Sequence, residues 1–199
     1  MIPLWDDNSQ ERTKPFVNYT LIILNLLMFF RQLADPNPAQ FIREWAVIPS
    51  QINTMHHWEN LLSSIFMHGG WMHLLGNMLF LWVFGDNVED RVGHKHYAMF
   101  YLACGIAASF AQVMVAPEST MPLLGASGAI SGVLAAYLIL FPRNHVKVLV
   151  FARFLTEMPA YVMIGVWGAI QLVSGAVMAS HMATHGGTAY GAHIGGFAA

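Results

Sequence analysis

Four stretches of this chain, residues 60–85, 96–117, 119–142 and 158–199, contain no Asp, Glu, Lys or Arg at all. Crossing a hydrocarbon core roughly 30 Å thick takes about 20 apolar residues in a helix. The runs predict an all-α polytopic membrane protein rather than a soluble globule. Composition agrees: 10% of residues are charged, against about 25% in soluble domains.

The same numbers exclude other classes. A formal net charge of −2 leaves no basic surface for nucleic acid. The one cysteine, Cys104, falls inside a span, has no partner for an internal disulfide and reads as a small packing residue. The N-terminal "MIPLWDDNSQERTKPF" mixes acidic and basic residues, unlike a cleavable secretory signal, so the first apolar span is expected to act as the insertion signal.

Six spans are expected, at 16–33, 68–85, 96–116, 127–141, 158–180 and 189–199. Residues 1–15 form a cytoplasmic segment ahead of them. Residues 34–67 form a long first loop, with Trp45 and Trp58 suited to headgroup level. With no repeat, linker or low-complexity tract, residues 1–199 read as one domain. Arg12, Lys14, Arg91, Lys95, Arg143, Lys147 and Arg153 fall on the N-terminal side, and only Arg31 and Arg43 on the other. Seven cations against two orient the N-terminus to the cytoplasm and the long loop outward. The last span runs only from Tyr190 to Ala199, about 15 Å of helix, so it is expected to be truncated.

Polar groups inside a bilayer are costly and tend to mark function. Three spans carry them, each at the outward end. His73 and Asn77, four apart, share one helix face with the glycine at 76 nearby. Ser127 opens the fourth span within "PLLGASGAISG" (122–132), and His193 lies near the start of the sixth in "GAHIGGF" (191–197). Small residues accompany them: Gly128, Gly132 and Ala136 at intervals of four, then Ala192 and Gly196. Such faces let helix backbones approach closely in lipid. They serve as packing devices in their own right. If the two faces meet, Ser127 and His193 also come within hydrogen-bond reach.

That meeting would create a reactive pair. A serine hydroxyl becomes a nucleophile when a base takes its proton, and neutral imidazole is the usual base near pH 7. The Ser127 amide, at the start of a helix, is free to face an oxyanion. His73 and Asn77 could add donors to that oxyanion. No carboxylate lies at this level to orient His193, so a dyad is expected rather than a triad.

With these residues in place, the chain resembles the rhomboid family of intramembrane serine proteases. The resemblance rests on "HGGWMHLLGNMLFLWVFG" (68–85), "VEDRVGHKHYAMFYLACGIAA" (88–108), "GASG" (125–128) and "AHIGG" (192–196). It implies a six-helix rhomboid-like bundle with Ser127 as nucleophile and His193 as general base. His73, Asn77 and the Ser127 amide match the family's oxyanion positions, with His68, Gly125 and Gly128 in support. It further implies cleavage of single-pass transmembrane proteins near the outer membrane face, within the lipid bilayer and without ATP, other nucleotide, metal or cofactor. The fifth span would be the gate that admits substrate. The compact six-span form makes a prokaryotic plasma membrane the expected location, with an organelle membrane as the alternative. One departure is Ser131, where some members carry a tyrosine that stacks on the catalytic histidine.

Rival readings compete with this one. Ten histidines, including the adjacent His56 and His57 and the pair His181 and His185, could suggest metal handling. No His-Glu-x-x-His motif accompanies them, and no carboxylate lies within a span. A catalytically silent relative that binds membrane clients is a second alternative, although such relatives usually lack the serine or the histidine. A transporter would need paired ionisable groups along a crossing path. Glu89 and Arg91 match a common feature of the rhomboid family on the cytoplasmic side and are expected to fasten a loop. Trp71 and Trp82 fit lipid-facing or interface roles, and Asn18-Tyr19-Thr20 reads as an unmodified sequon.

Overall fold

The computed structural model describes residues 1–7, 12–181 and 190–199. His185, one of the two histidines of "HMATH", lies outside the described residues, as does the His181 side chain. Strand β1 (Ile2–Asp6) precedes helix α1 (Phe16–Leu33), and four short pieces fill the first loop: α2 (Pro38–Trp45), α3 (Pro49–Asn53), α4 (Asn60–Ser63) and a 3-10 turn at Ser64–Phe66. Helices α5 (Trp71–Val92), α6 (His94–Val115) and α7 (Ser127–Leu140) follow, then strands β2 (His145–Val150) and β3 (Phe154–Pro159), and finally α8 (Ala160–His181) and α9 (Tyr190–Ala198). Among the described helices α1 and α6 are long and apolar enough to cross a bilayer, and α7 and the first part of α8 are shorter apolar helices.

The expectation of an all-α chain is corrected by a three-stranded antiparallel sheet, ordered β1-β2-β3. The segment 145–150, read as a short connection, alternates buried Val146 and Val148 with exposed His145 and Lys147. That period of two is the strand pattern. Its partner is the N-terminal segment, paired Ile2 to Leu149 and Asp6 to Val146, so residues 2–6 are structured rather than a free tail. Asp6 is buried, and its Oδ2 accepts hydrogen bonds from Tyr137 Oη at 2.6 Å and Asn87 Nδ2 at 2.7 Å. The sheet is thereby tied to α7 and α5.

Helix α5 extends beyond the expected span at 68–85. It continues through Asp86, Glu89 and Arg91 and stops at Gly93, whose φ of 86° is the first backbone conformation incompatible with helix. Glu89 therefore does not fasten a loop. It is fully buried, and its carboxylate accepts the N–H of Val17 at 2.9 Å and of Asn18 at 2.6 Å, with His94 Nδ1 also bonded to it. The two amides belong to the first turn of α1, where backbone donors lack helical partners and the helix dipole favours an anion. Asn18 is equally committed, accepting from Tyr97 Oη at 2.8 Å and donating to Leu81 O at 2.9 Å. Its side chain is buried, so the sequon offers nothing to modify.

The first loop folds onto the bundle. Buried Asn60 donates to Glu44 O and Ala46 O, both at 2.9 Å. At the start of the loop, the Asn37 amide and then the Arg31 guanidinium hold the Asp35 carboxyl below its usual range. Val47 and Leu123 exchange backbone hydrogen bonds of 3.0 and 2.7 Å, and Gly125 N–H donates to Ser64 O at 2.9 Å. These bonds fix the segment that leads into Ser127. Trp45 and Trp58 remain exposed at 44% and 43%.

Small residues bring α9 onto α7 and α6, as their spacing predicts. A Cβ placed on Gly196 would lie 2.0 Å from Gly128 O, and one on Gly132 would lie 2.5 Å from Cys104 Sγ. A Cβ on Gly195 would lie 2.4 Å from Ala111 Cβ. Such contacts leave no room for any side chain larger than hydrogen. Gly76 is different: nothing lies within 4 Å of a Cβ there, so it widens a cavity rather than closing a helix contact.

Candidate active site

Ser127 is the first residue of α7, one residue after the loop that Ser64 anchors. His193 sits in the first turn of α9, and the glycine contacts just described hold that helix against α7. The outcome is a hydrogen bond of 2.7 Å between Ser127 Oγ and His193 Nε2. On the opposite side of His193, Nδ1 lies 2.7 Å from Gln171 Oε1 on α8. An amide oxygen only accepts, so Nδ1 carries the proton and Nε2 presents its lone pair to the serine. This is the protonation a general base requires.

Both side chains line a cavity of about 640 Å³ that His73, Asn77, Trp167 and Gln171 also border. Its volume falls within the ordinary range of ligand sites. His73 Nδ1 accepts the Gly69 amide N–H at 3.3 Å, which assigns the ring proton to Nε2. That nitrogen lies 2.7 Å from where a Cβ on Gly125 would stand. Gly125 also has φ 129°, a conformation that disfavours a side chain, so glycine is required there twice over. Asn77 is buried, and its Nδ2 has no hydrogen-bond partner among the described residues. A buried donor without a partner is costly in a folded chain, and this one borders the cavity.

The expected residues therefore gather as follows. Ser127, His193, His73 and Asn77 share the cavity, with Gly125 and Gly128 on its wall. His68 stands behind them. Its side chain is fully buried, its ring centroid is 5.1 Å from that of His73 at 69°, and its carbonyl accepts from Gln32 Nε2 at 2.8 Å. Ser131 turns back onto its own helix, donating to Ser127 O at 2.7 Å.

Sequence reasoning missed two contacts, both on α8. Gln171 supplies a hydrogen bond to His193 from an amide, a partner not considered when no carboxylate was found at this level. Trp167 supplies the aromatic neighbour that Ser131 does not, with its ring centroid 6.3 Å from that of His193 at 38°. One signal was available: Trp167 and Gln171 are four apart, hence on one helix face, in a run with few hydrogen-bonding side chains.

Comparison with known proteins bears on the family of the chain. The model of the Rhomboid domain family matches residues 55–199. Rhomboid protease GluP of Bacillus subtilis is 37% identical over 139 residues, covering 68% of this chain and 26% of that protein. Rhomboid protein 1, mitochondrial, of Saccharomyces cerevisiae is 32% identical over 184 residues, 89% of this chain and 49% of that protein. The human presenilin-associated rhomboid-like protein, mitochondrial, is 32% identical over 96 residues, 47% of this chain and 25% of that protein. The chain thus spans from about a quarter to about half the length of these relatives.

Proposed function

The chain belongs to the rhomboid family, whose members are integral membrane proteins and include serine proteases, and from that premise we propose that it is an intramembrane serine endopeptidase. The observation that carries the reading is the 2.7 Å hydrogen bond from Ser127 Oγ to His193 Nε2, bordered by two further donors in one cavity. Six crossings, an N-terminus in the cytoplasm and single-pass transmembrane substrates cut near the outer face belong to the same proposal.

The chemistry follows from the groups present. His193 Nε2 takes the proton as Ser127 Oγ attacks the scissile carbonyl carbon. Charge develops on the carbonyl oxygen, where the Ser127 amide, His73 Nε2–H and Asn77 Nδ2–H can donate. Preorganised donors of this kind are worth about 10²- to 10³-fold each. The imidazolium then protonates the leaving amine. A water, deprotonated by the same nitrogen, hydrolyses the acyl-enzyme. A helical peptide bond is shielded by its own turn, so a substrate must unwind locally before its carbonyl reaches Ser127. No step calls on a metal or cofactor.

Fluorophosphonate labelling of the purified chain in detergent tests this, alongside Ser127→Ala and His193→Ala. Labelling confined to the unmutated chain supports an activated serine, and cleavage of a single-span reporter would then identify the peptidase. A chain that folds but stays unlabelled would instead be a silent member of the family, and the proposal would fall.

A further inference from the structure

We propose that Gln171 is a positioning residue for His193, so that the base is oriented from a helix carrying neither member of the dyad. The inference rests on the protease reading of Ser127 and His193.

A neutral imidazole has one proton and two nitrogens. With that proton on Nε2, the ring could not accept from Ser127 Oγ, and the pair would be inert as nucleophile and base. Gln171 Oε1, 2.7 Å from Nδ1, has no proton to give and selects the reactive tautomer. The amide does the orienting half of what a carboxylate does in a triad, without adding charge to a site bordered by apolar helices. Trp167, one turn earlier on the same helix, flanks the imidazole. Helix α8 therefore contributes both a hydrogen bond and an aromatic neighbour.

The helix that carries them is held differently from the two it serves. Helices α7 and α9 are clamped where Gly196 meets Gly128, at a spacing that excludes a Cβ. On α8, Gly165 and Gly168 have nothing within 4 Å of a Cβ position, so no comparable glycine clamp fixes it there. Ser127 and His193 consequently stay adjacent through the α7–α9 contact, whereas the Gln171 hydrogen bond to His193 comes from α8. Proximity and orientation are supplied by separate contacts.

The test uses the full chain in detergent with Gln171→Met, which keeps the length but removes the acceptor, and Gln171→Glu, which keeps an acceptor oxygen. Two readouts are taken: the fluorophosphonate labelling rate, and the ¹⁵N spectrum of histidine-labelled protein, with His193→Ala assigning the signal. In the unmutated chain His193 shows a protonated Nδ1 and a bare Nε2. Gln171→Met should mix the tautomers and slow labelling about 10- to 100-fold, the loss expected for one orienting hydrogen bond. Gln171→Glu should restore the rate to within about threefold of the unmutated chain, which a purely structural role would not do. A Met variant with the unmutated tautomer and rate overturns the inference. If the unmutated chain is not labelled, the protease reading fails by itself, and the tautomer comparison still decides whether Gln171 orients His193.

Discussion

Replacing Gly196 by alanine adds one methyl group three residues along α9 from His193, where the backbone of α7 stands in its way. The new Cβ would stand 2.0 Å from Gly128 O and 2.7 Å from Gly128 C, where ordinary contact begins at 3.4 Å. Both atoms are backbone, so no side chain can swing aside, and α9 must withdraw by about 1.4 Å, the difference between those two distances. His193 travels with its helix. Its 2.7 Å bond to Ser127 Oγ would open to about 4 Å, beyond hydrogen-bond reach. Misplacement of about 1 Å in a reacting pair costs on the order of 10²-fold, and overpacking costs about 1–3 kcal/mol of stability. The expected result is fluorophosphonate labelling slowed at least about 100-fold, with a lowered melting temperature in detergent. Gly76→Ala is the control, because its Cβ meets nothing within 4 Å, and it should stay as stable as the unmutated chain. Labelling of Gly196→Ala within about twofold of the unmutated rate would refute the claim that the α7–α9 contact sets the dyad distance.

Two other substitutions separate activity from stability. Asn77→Ala should slow labelling by about 10²- to 10³-fold if Nδ2 faces the oxyanion. Its melting temperature should barely move, because that nitrogen has no partner among the described residues to lose. Glu89→Gln should do the reverse, destabilising the fold by about 1–3 kcal/mol through loss of an acceptor for the α1 amides at 2.9 and 2.6 Å. Thermal unfolding beside Arg91→Ala, which is exposed and should lie within about 0.5 kcal/mol of unmutated, would show whether Glu89 acts as that anchor.

Much of the candidate site was legible because its signals are local. A charge-free run of helix length points to lipid, and a polar residue inside it stands out against an apolar background. Ser127, His193, His73 and Asn77 were found that way, and the small residues at intervals of four announced which faces would touch. The sheet was missed because its strands are six residues or fewer and β1 pairs with a partner some 140 positions away. A short segment of alternating residues has no meaning until that partner is known. Helix α5 runs past the charge-free span at 68–85 because Glu89, beyond it, is buried against the first turn of α1.

What the sequence by itself determined was the solvent and the candidate reactive groups. Hydrocarbon demands helices from apolar runs this long, and a serine, two histidines and an asparagine set among small residues mark where reaction could occur. Only the tertiary structure decided the relative depth and rotation of the helices, and with them the partners of each group. Gln171, twelve residues into α8, reads as mid-span along the chain, yet its oxygen reaches a histidine in the first turn of α9. No periodicity within one helix encodes how far a second helix is shifted along it. That shift is set by contacts such as Gly196 on Gly128, where the sum of all close packing fixes what no single segment can.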